Sequence, residues 1–176
     1  MLLVLGCAGP KPPMDQTATQ LAPQLSPQPK FRPEVFFLGA TRGQGTLVTR
    51  GKSAARYTVE NHGSIESDSL FRLDQTVTFA DGTVEFRTWQ IRRLDEHRYS
   101  AKLSDAAGDV SAETNGNLFH LRYLVRRPAI YMEQWLYLQR DGRTVLNIGK
   151  VKVFGFLLAQ LSETIVPVIS SQRVRP

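Results

Sequence analysis

Several uncharged polar side chains interrupt otherwise apolar faces along this chain, and such interruptions are where a core could recognise a ligand. Gln75 lies between Leu73 and Val77, Gln134 between Met132 and Leu136, and Asn147 two residues after Val145. Thr88 and Gln90 continue the alternation of Val84 and Phe86. A buried amide left without a partner costs about 1–3 kcal/mol. Each of these residues therefore bonds across the core, turns outward at a bulge, or lines a pocket where a few polar groups stand among apolar walls. The two tryptophans, Trp89 and Trp135, are flanked by polar residues on long alternating stretches. A core indole needs a partner for its N–H, whereas one at a pocket mouth can stack on a ligand. Arg87, two residues before Trp89, could hold an anionic head group through two parallel hydrogen bonds. Its alternative is to pair with Asp74 or Glu85 on the outer surface.

Catalytic chemistry has no comparable set. None of His62, His97 and His120 has a second His, Cys or carboxylate at metal-ligand spacing on a shared face. No Gly-x-Ser-x-Gly elbow is present. "TRGKSAA" (residues 49–55) carries a Gly-Lys pair, but Thr46 stands where a phosphate-binding loop needs glycine. Its flanks read as strands, so no helix N-terminus faces an anion, and a turn is expected. The expectation is a protein that is not an enzyme and holds no metal or cofactor. A lipid- or isoprenoid-modifying enzyme is the catalytic alternative.

The single cysteine is Cys7, at the end of "VLGC". That pattern resembles a bacterial lipobox, with a large apolar residue three positions before the cysteine and a small one directly before it. Acyl chains on Cys7 would anchor the protein, since each buried CH₂ contributes about 0.8 kcal/mol. Residues 1–7 then read as a truncated signal peptide, because neither a basic region nor a full apolar stretch precedes the cysteine. Residues 8–33 read as a tether, for seven of the ten prolines fall within the first 33 residues. Ala8, not Asp, follows the cysteine; by resemblance to enteric lipoproteins this implies the periplasmic side of the outer membrane. A folded domain is expected over 34–166 and a tail over 167–176. The net charge is +6, but the basic residues are scattered and at most paired, as in Arg92-Arg93 and Arg126-Arg127. This argues for a solvated face and against nucleic acid as a partner.

The elements that must position these residues read as strands. From Gly43 onward, alternating stretches such as "GTLVTR", "AARYTVEN" and "NLFHLRYLV" are separated by turn clusters every 8 to 13 residues. The clearest hairpin is centred on Asp81-Gly82, a pair favoured in two-residue type I′ turns. That loop would pair Phe79 with Val84 and Val77 with Phe86, and would bury Leu73, Val77, Phe79, Val84 and Phe86 on one face. A second turn is expected at Asp141-Gly142. Local hairpins in chain order predict an all-β, antiparallel up-and-down meander of eight or so strands, closing into a barrel of lipocalin- or calycin-like architecture. "VFGFLLAQLSETIVPVIS" is too interrupted to span a membrane as a helix and is expected to be a closing strand and a loose tail.

Short motifs in a fixed order carry a further resemblance: "FFLG" at 36–39, "LDQTVTFADG" at 73–82, "RTW" at 87–89, Gly116-Asn117, Tyr123, Trp135, Asn147 and Phe154-Gly155. The stretch from Phe36 to Ile165 resembles the bacterial domain-of-unknown-function family 3833, whose members are often described as lipoproteins. It departs from the family pattern at Gln75, Val77 and Gln134, where acidic, aromatic and acidic residues stand. The family brings no activity, but it adds Asn117 and Tyr123 to the candidates. The ligand-binding set expected from the sequence is thus Gln75, Arg87, Trp89, Asn117, Tyr123, Trp135 and Asn147. The expected role is a tethered barrel that binds or shields a lipid or other apolar small molecule, the alternative being an interaction scaffold with a filled barrel.

Overall fold

The computed structural model describes residues 23–127 and 129–169. A four-residue helix, α1 (Pro33–Phe36), precedes ten strands: β1 (Gly39–Thr49), β2 (Ala55–Ser67), β3 (Leu70–Phe79), β4 (Val84–Arg93), β5 (Arg98–Leu103), β6 (Val110–Asn115), β7 (Leu118–Arg126), β8 (Ile130–Leu138), β9 (Val145–Val153) and β10 (Phe156–Pro167). Each strand pairs antiparallel with the next in sequence, and β10 pairs with β1 to close the barrel. The meander expected from the sequence is present, with ten strands where eight or so were anticipated. Closure leaves no unpaired edge. Strand alternation divides the residues cleanly: in β6, Val110, Ala112 and Thr114 are buried while Ser111, Glu113 and Asn115 are exposed. The inward residues of all ten strands form the core.

The Asp81-Gly82 hairpin differs from expectation by one residue, and the difference changes which side chains face inward. Gly82 N–H donates to Phe79 O (3.0 Å) and Phe79 N–H to Thr83 O (2.9 Å). Gly82 has φ +88° and Asp81 is not left-handed. This is a three-residue loop, a type I turn followed by a left-handed glycine, not the type I′ turn. Val84 consequently pairs with Thr78, Phe86 with Thr76, and Arg87 with Gln75. A one-residue slip moves every side chain to the other face. Val84 and Phe86, expected in the core, are exposed; Arg87, Trp89 and Ile91 turn inward instead.

One end of the barrel is closed by the segment before β1. Phe31 is buried and stacks on Phe119, with ring centroids 5.7 Å apart, and it also packs on Phe36 and Phe37. Phe31 N–H donates to Gly116 O, and Ser26 N–H to Asn117 Oδ1 (both 2.7 Å). The domain therefore begins before the boundary expected at residue 34, because residues 26–33 supply the plug. The opposite end carries the loops β1–β2, β3–β4, β5–β6, β7–β8 and β9–β10.

Candidate functional site

Within the barrel lies a cavity of about 220 Å³. Its walls are apolar for most of their extent, with Leu73, Val77, Ile91, Leu121, Met132 and Leu136 among them. A girdle of polar side chains crosses this apolar lumen, one from each of eight strands. Starting on β4, Trp89 Nε1–H donates to Gln75 Oε1 (2.6 Å) on β3. Gln75 Nε2–H donates to Asn61 Oδ1 (2.8 Å) on β2, and Asn61 Nδ2–H to Thr41 Oγ1 (3.0 Å) on β1. The other arc begins on β7, where Tyr123 Oη accepts from Gln134 Nε2 (3.1 Å) on β8. Gln134 Oε1 accepts from Asn147 Nδ2 (3.0 Å) on β9, which also donates to Glu163 Oε2 (3.0 Å) on β10. Trp89 and Tyr123 meet edge to face, centroids 5.6 Å apart, and so join the two arcs across β5 and β6.

Two glycines of β1 make room where the arcs meet on the other side. A Cβ at Gly43 would collide with Glu163 Oε1, and one at Gly45 would stand 2.6 Å from Tyr57 Oη. The side chains of Glu163 and Tyr57 lie flat against the β1 backbone because no side chain occupies these places. Burial pushes the Glu163 carboxyl up to about 7, against the opposing pull of its Asn147 bond and the Arg87 charge. Burial, and then the nearby Glu163, push Tyr57 well above the ordinary phenol range. Tyr123 is pushed up to about 12, again chiefly by burial.

At the mouth, Arg87 reaches between two carboxylates. Its Nη2 bonds Glu85 Oε2 (2.6 Å), and its Nε lies 3.1 Å from Asp105 Oδ2 without aligning as a hydrogen bond. Burial opposes the Arg87 charge, but Asp105, Tyr123 and Glu85 outweigh it, so its pKa is raised. The trio carries a net negative charge, and the guanidinium is already engaged. Besides Arg87 Nε, two further buried atoms have no partner among the described residues: Asn147 Oδ1 and Glu163 Oε1. Polar atoms so placed are uncommon in folded proteins.

Of the seven ligand-binding residues expected from the sequence, five line the cavity: Gln75, Arg87, Trp89, Tyr123 and Asn147. Two lie elsewhere. Trp135 is on the outer face of β8, stacked on His120 (centroids 5.4 Å) beneath the Lys150 ammonium, because its parity is opposite to that of Gln134. Asn117 sits in the β6–β7 turn at the plugged end. There its side chain bonds Ser26 N–H, Gln24 O and Leu138 O, and holds the plug. Sequence reasoning left Glu163, Gln134, Asn61 and Tyr57 out of the expected site. Glu163 and Gln134 carried the same signal as Asn147, a polar residue at an inward parity. Asn61 and Tyr57 alternate in "YTVEN" with exposed polar residues, and nothing local distinguishes them. Cys7 lies outside the described residues.

The chain belongs to the DUF3833 family, described as a protein family of unknown function, whose model matches residues 2–166. No curated protein matches the sequence. The barrel is similar to the S-type phycobiliprotein lyase CPES from Guillardia theta, with a TM-score of 0.63 over 78% of this chain and 92% of that one, at 9% identity. It is also similar to Rv2717c from M. tuberculosis, with a TM-score of 0.57 over 79% and 99% at 12% identity. A protein of unknown function from the DUF3598 family, from Nostoc punctiforme, gives a TM-score of 0.59 at 13% identity over 80% of this chain and 51% of that one. At such identities the likeness extends to the fold.

Proposed function

We propose that this barrel binds a small, neutral, apolar molecule bearing one polar group, with the apolar part in the lumen and the polar group on the girdle. The observation that carries this reading is the cavity of about 220 Å³ crossed by polar side chains, in which Asn147 Oδ1 and Glu163 Oε1 stand without partners. An apolar cavity of roughly 150 Å³ is enough to take up benzene. Drug-sized ligands occupy about 300–1,000 Å³, so the ligand here is smaller, or extends through the mouth. The net negative Arg87 trio and a nearby Glu163 favour a neutral ligand over a carboxylate or phosphate. Burial raises the Glu163 carboxyl to about 7, and among the described residues no group of three or more His, Cys, Asp or Glu side chains is placed to hold a metal ion. The lipobox at Cys7 and the Pro-rich stretch that follows support a lipid-anchored placement of the barrel at the periplasmic side of the outer membrane.

A second reading has one observation in its favour: the cavity is small and the girdle bonds mostly to itself, as a filled scaffold would. Native mass spectrometry of the protein purified from cell envelopes separates the two. The proposal predicts a non-covalent adduct of a single small molecule, on a chain whose mass also carries acylation. An adduct-free barrel after gentle extraction supports the scaffold, and an unacylated chain removes the anchor.

A further inference from the structure

We propose that the β9–β10 side of the barrel mouth is a docking surface for an anionic lipid bilayer, independent of any acyl chain at Cys7. The turn joining β9 to β10 consists of Phe154 and Gly155, both left-handed, with φ +49° and +83°. Asn, Asp and Gly are the residues suited to these positions. Phenylalanine there is strained, and Phe154 recovers little by packing, since it is 68% exposed. Phe156 beside it is 76% exposed, and Leu157 and Leu158 continue the apolar surface down the strand. Strain and exposure together point to a contact outside the chain.

Charge selects the partner. The two loops flanking this turn are cationic. Arg50 and Lys52 stand on one, joined to the hairpin through Arg50 N–H to Leu158 O (2.8 Å). Arg126, at the end of β7, and Arg127 stand at the other, joined through Phe154 N–H to Ala129 O (3.1 Å). All four are exposed, and none forms an ion pair among the described residues. The carboxylates of the mouth, Asp81, Glu85, Asp105 and Asp109, lie on the β3–β4 loop, the start of β4 and the β5–β6 loop instead. Aromatic and aliphatic side chains at a tip ringed by Arg and Lys match an interface with apolar chains beneath anionic head groups. Docked this way, the barrel mouth would face the membrane.

The test uses the full chain carrying Cys7→Ser, so that acylation plays no part, and co-sedimentation with phosphatidylcholine vesicles with and without phosphatidylglycerol. Binding is expected to the anionic vesicles, to weaken with added salt, and to be at least tenfold weaker on phosphatidylcholine alone. Phe154→Asn with Phe156→Ser should lower vesicle affinity by at least about tenfold, the loss of two buried aromatic side chains. Phe154→Asn alone should raise the thermal midpoint, because asparagine suits the left-handed turn; this separates lost binding from lost folding. Arg126→Glu with Arg127→Glu, on a different loop, should abolish the preference for phosphatidylglycerol. Absence of binding to either vesicle, equal binding to both, or undiminished binding by the Phe154/Phe156 variant overturns the proposal.

Discussion

Gly63→Ala is expected to destabilise the barrel by about 3 kcal/mol, the upper end of what overpacking a core costs. The thermal midpoint should fall by about 10 °C for a domain of this size. Gly63 is an inward residue of β2, and the segment leading into β1 passes directly over it, bridging at Leu38. A Cβ at position 63 would collide with the backbone oxygen of Phe37 and crowd the Phe71 ring. Backbone cannot swing aside as a side-chain end can. The methyl group must therefore lift the plug, and with it the packing of Phe31, Phe36 and Phe37 on Phe119. Gly108→Ala is the control: nothing lies within 4 Å of the added Cβ there, and the midpoint should not move. A Gly63→Ala protein as stable as the parent would mean that the plug is not seated as described.

The second large effect is a pH dependence belonging to Glu163. Its carboxyl titrates near 4.5 when unperturbed and is pushed up to about 7 in the folded barrel, chiefly by burial. Between these values the native state holds a proton that the unfolded chain has released. Stability from this group is complete below about pH 4.5, falls as pH rises through about 7, and is level above that. The loss amounts to about 3 kcal/mol. Glu163→Gln keeps an acceptor for Asn147 and removes the titration. It should flatten the profile over this window and be more stable than the parent at pH 8. The carboxylates held low by their hydrogen bonds, such as Asp95 at about 2 through the His97 and Arg98 N–H groups, lose their contribution as pH falls, in a separate, more acidic window. Denaturant midpoints from pH 4.5 to 8 check this. A parent profile without the fall, or an unchanged slope in Glu163→Gln, contradicts the burial of a titrating carboxyl in the girdle.

The meander and its closure were legible because strand alternation and turn residues are local signals. The closing strand expected within "VFGFLLAQLSETIVPVIS" is β10, Phe156–Pro167, while Val153 ends β9 and Phe154-Gly155 form the turn between them. The inward set was less legible, since it depends on loop length. Asp-Gly serves both a two-residue type I′ loop and a three-residue loop with a left-handed glycine, and the choice decides whether Phe86 or Arg87 faces the lumen. Each polar inward residue could be read singly, as Gln75 and Asn147 were. That they hydrogen-bond in sequence around the barrel depends on the register of eight strands at once. Asn117 was drawn in by family motif, and Trp135 as an indole flanked by polar residues on a long strand; its parity, shared with Tyr131, Glu133 and Tyr137 and opposite to that of Gln134, puts it on the outer face. The plug was hidden in a Pro-rich stretch whose composition matches a tether. Only long-range contacts, Phe31 on Phe119 and Ser26 on Asn117, distinguish the two.

The positions of the two tryptophans make the central claim measurable. Trp89 is buried in the lumen and bonded to Gln75, whereas Trp135 lies on the outer face. In the Trp135→Phe protein, fluorescence reports the lumen alone; in Trp89→Phe it reports the outside alone. Delipidated protein titrated with decan-1-ol should give a saturable change in Trp135→Phe and none in Trp89→Phe, with decanoate binding at least tenfold more weakly because the mouth is net negative. No saturable response of Trp89 to the alcohol, or an equal response from Trp135, would contradict a ligand-binding lumen.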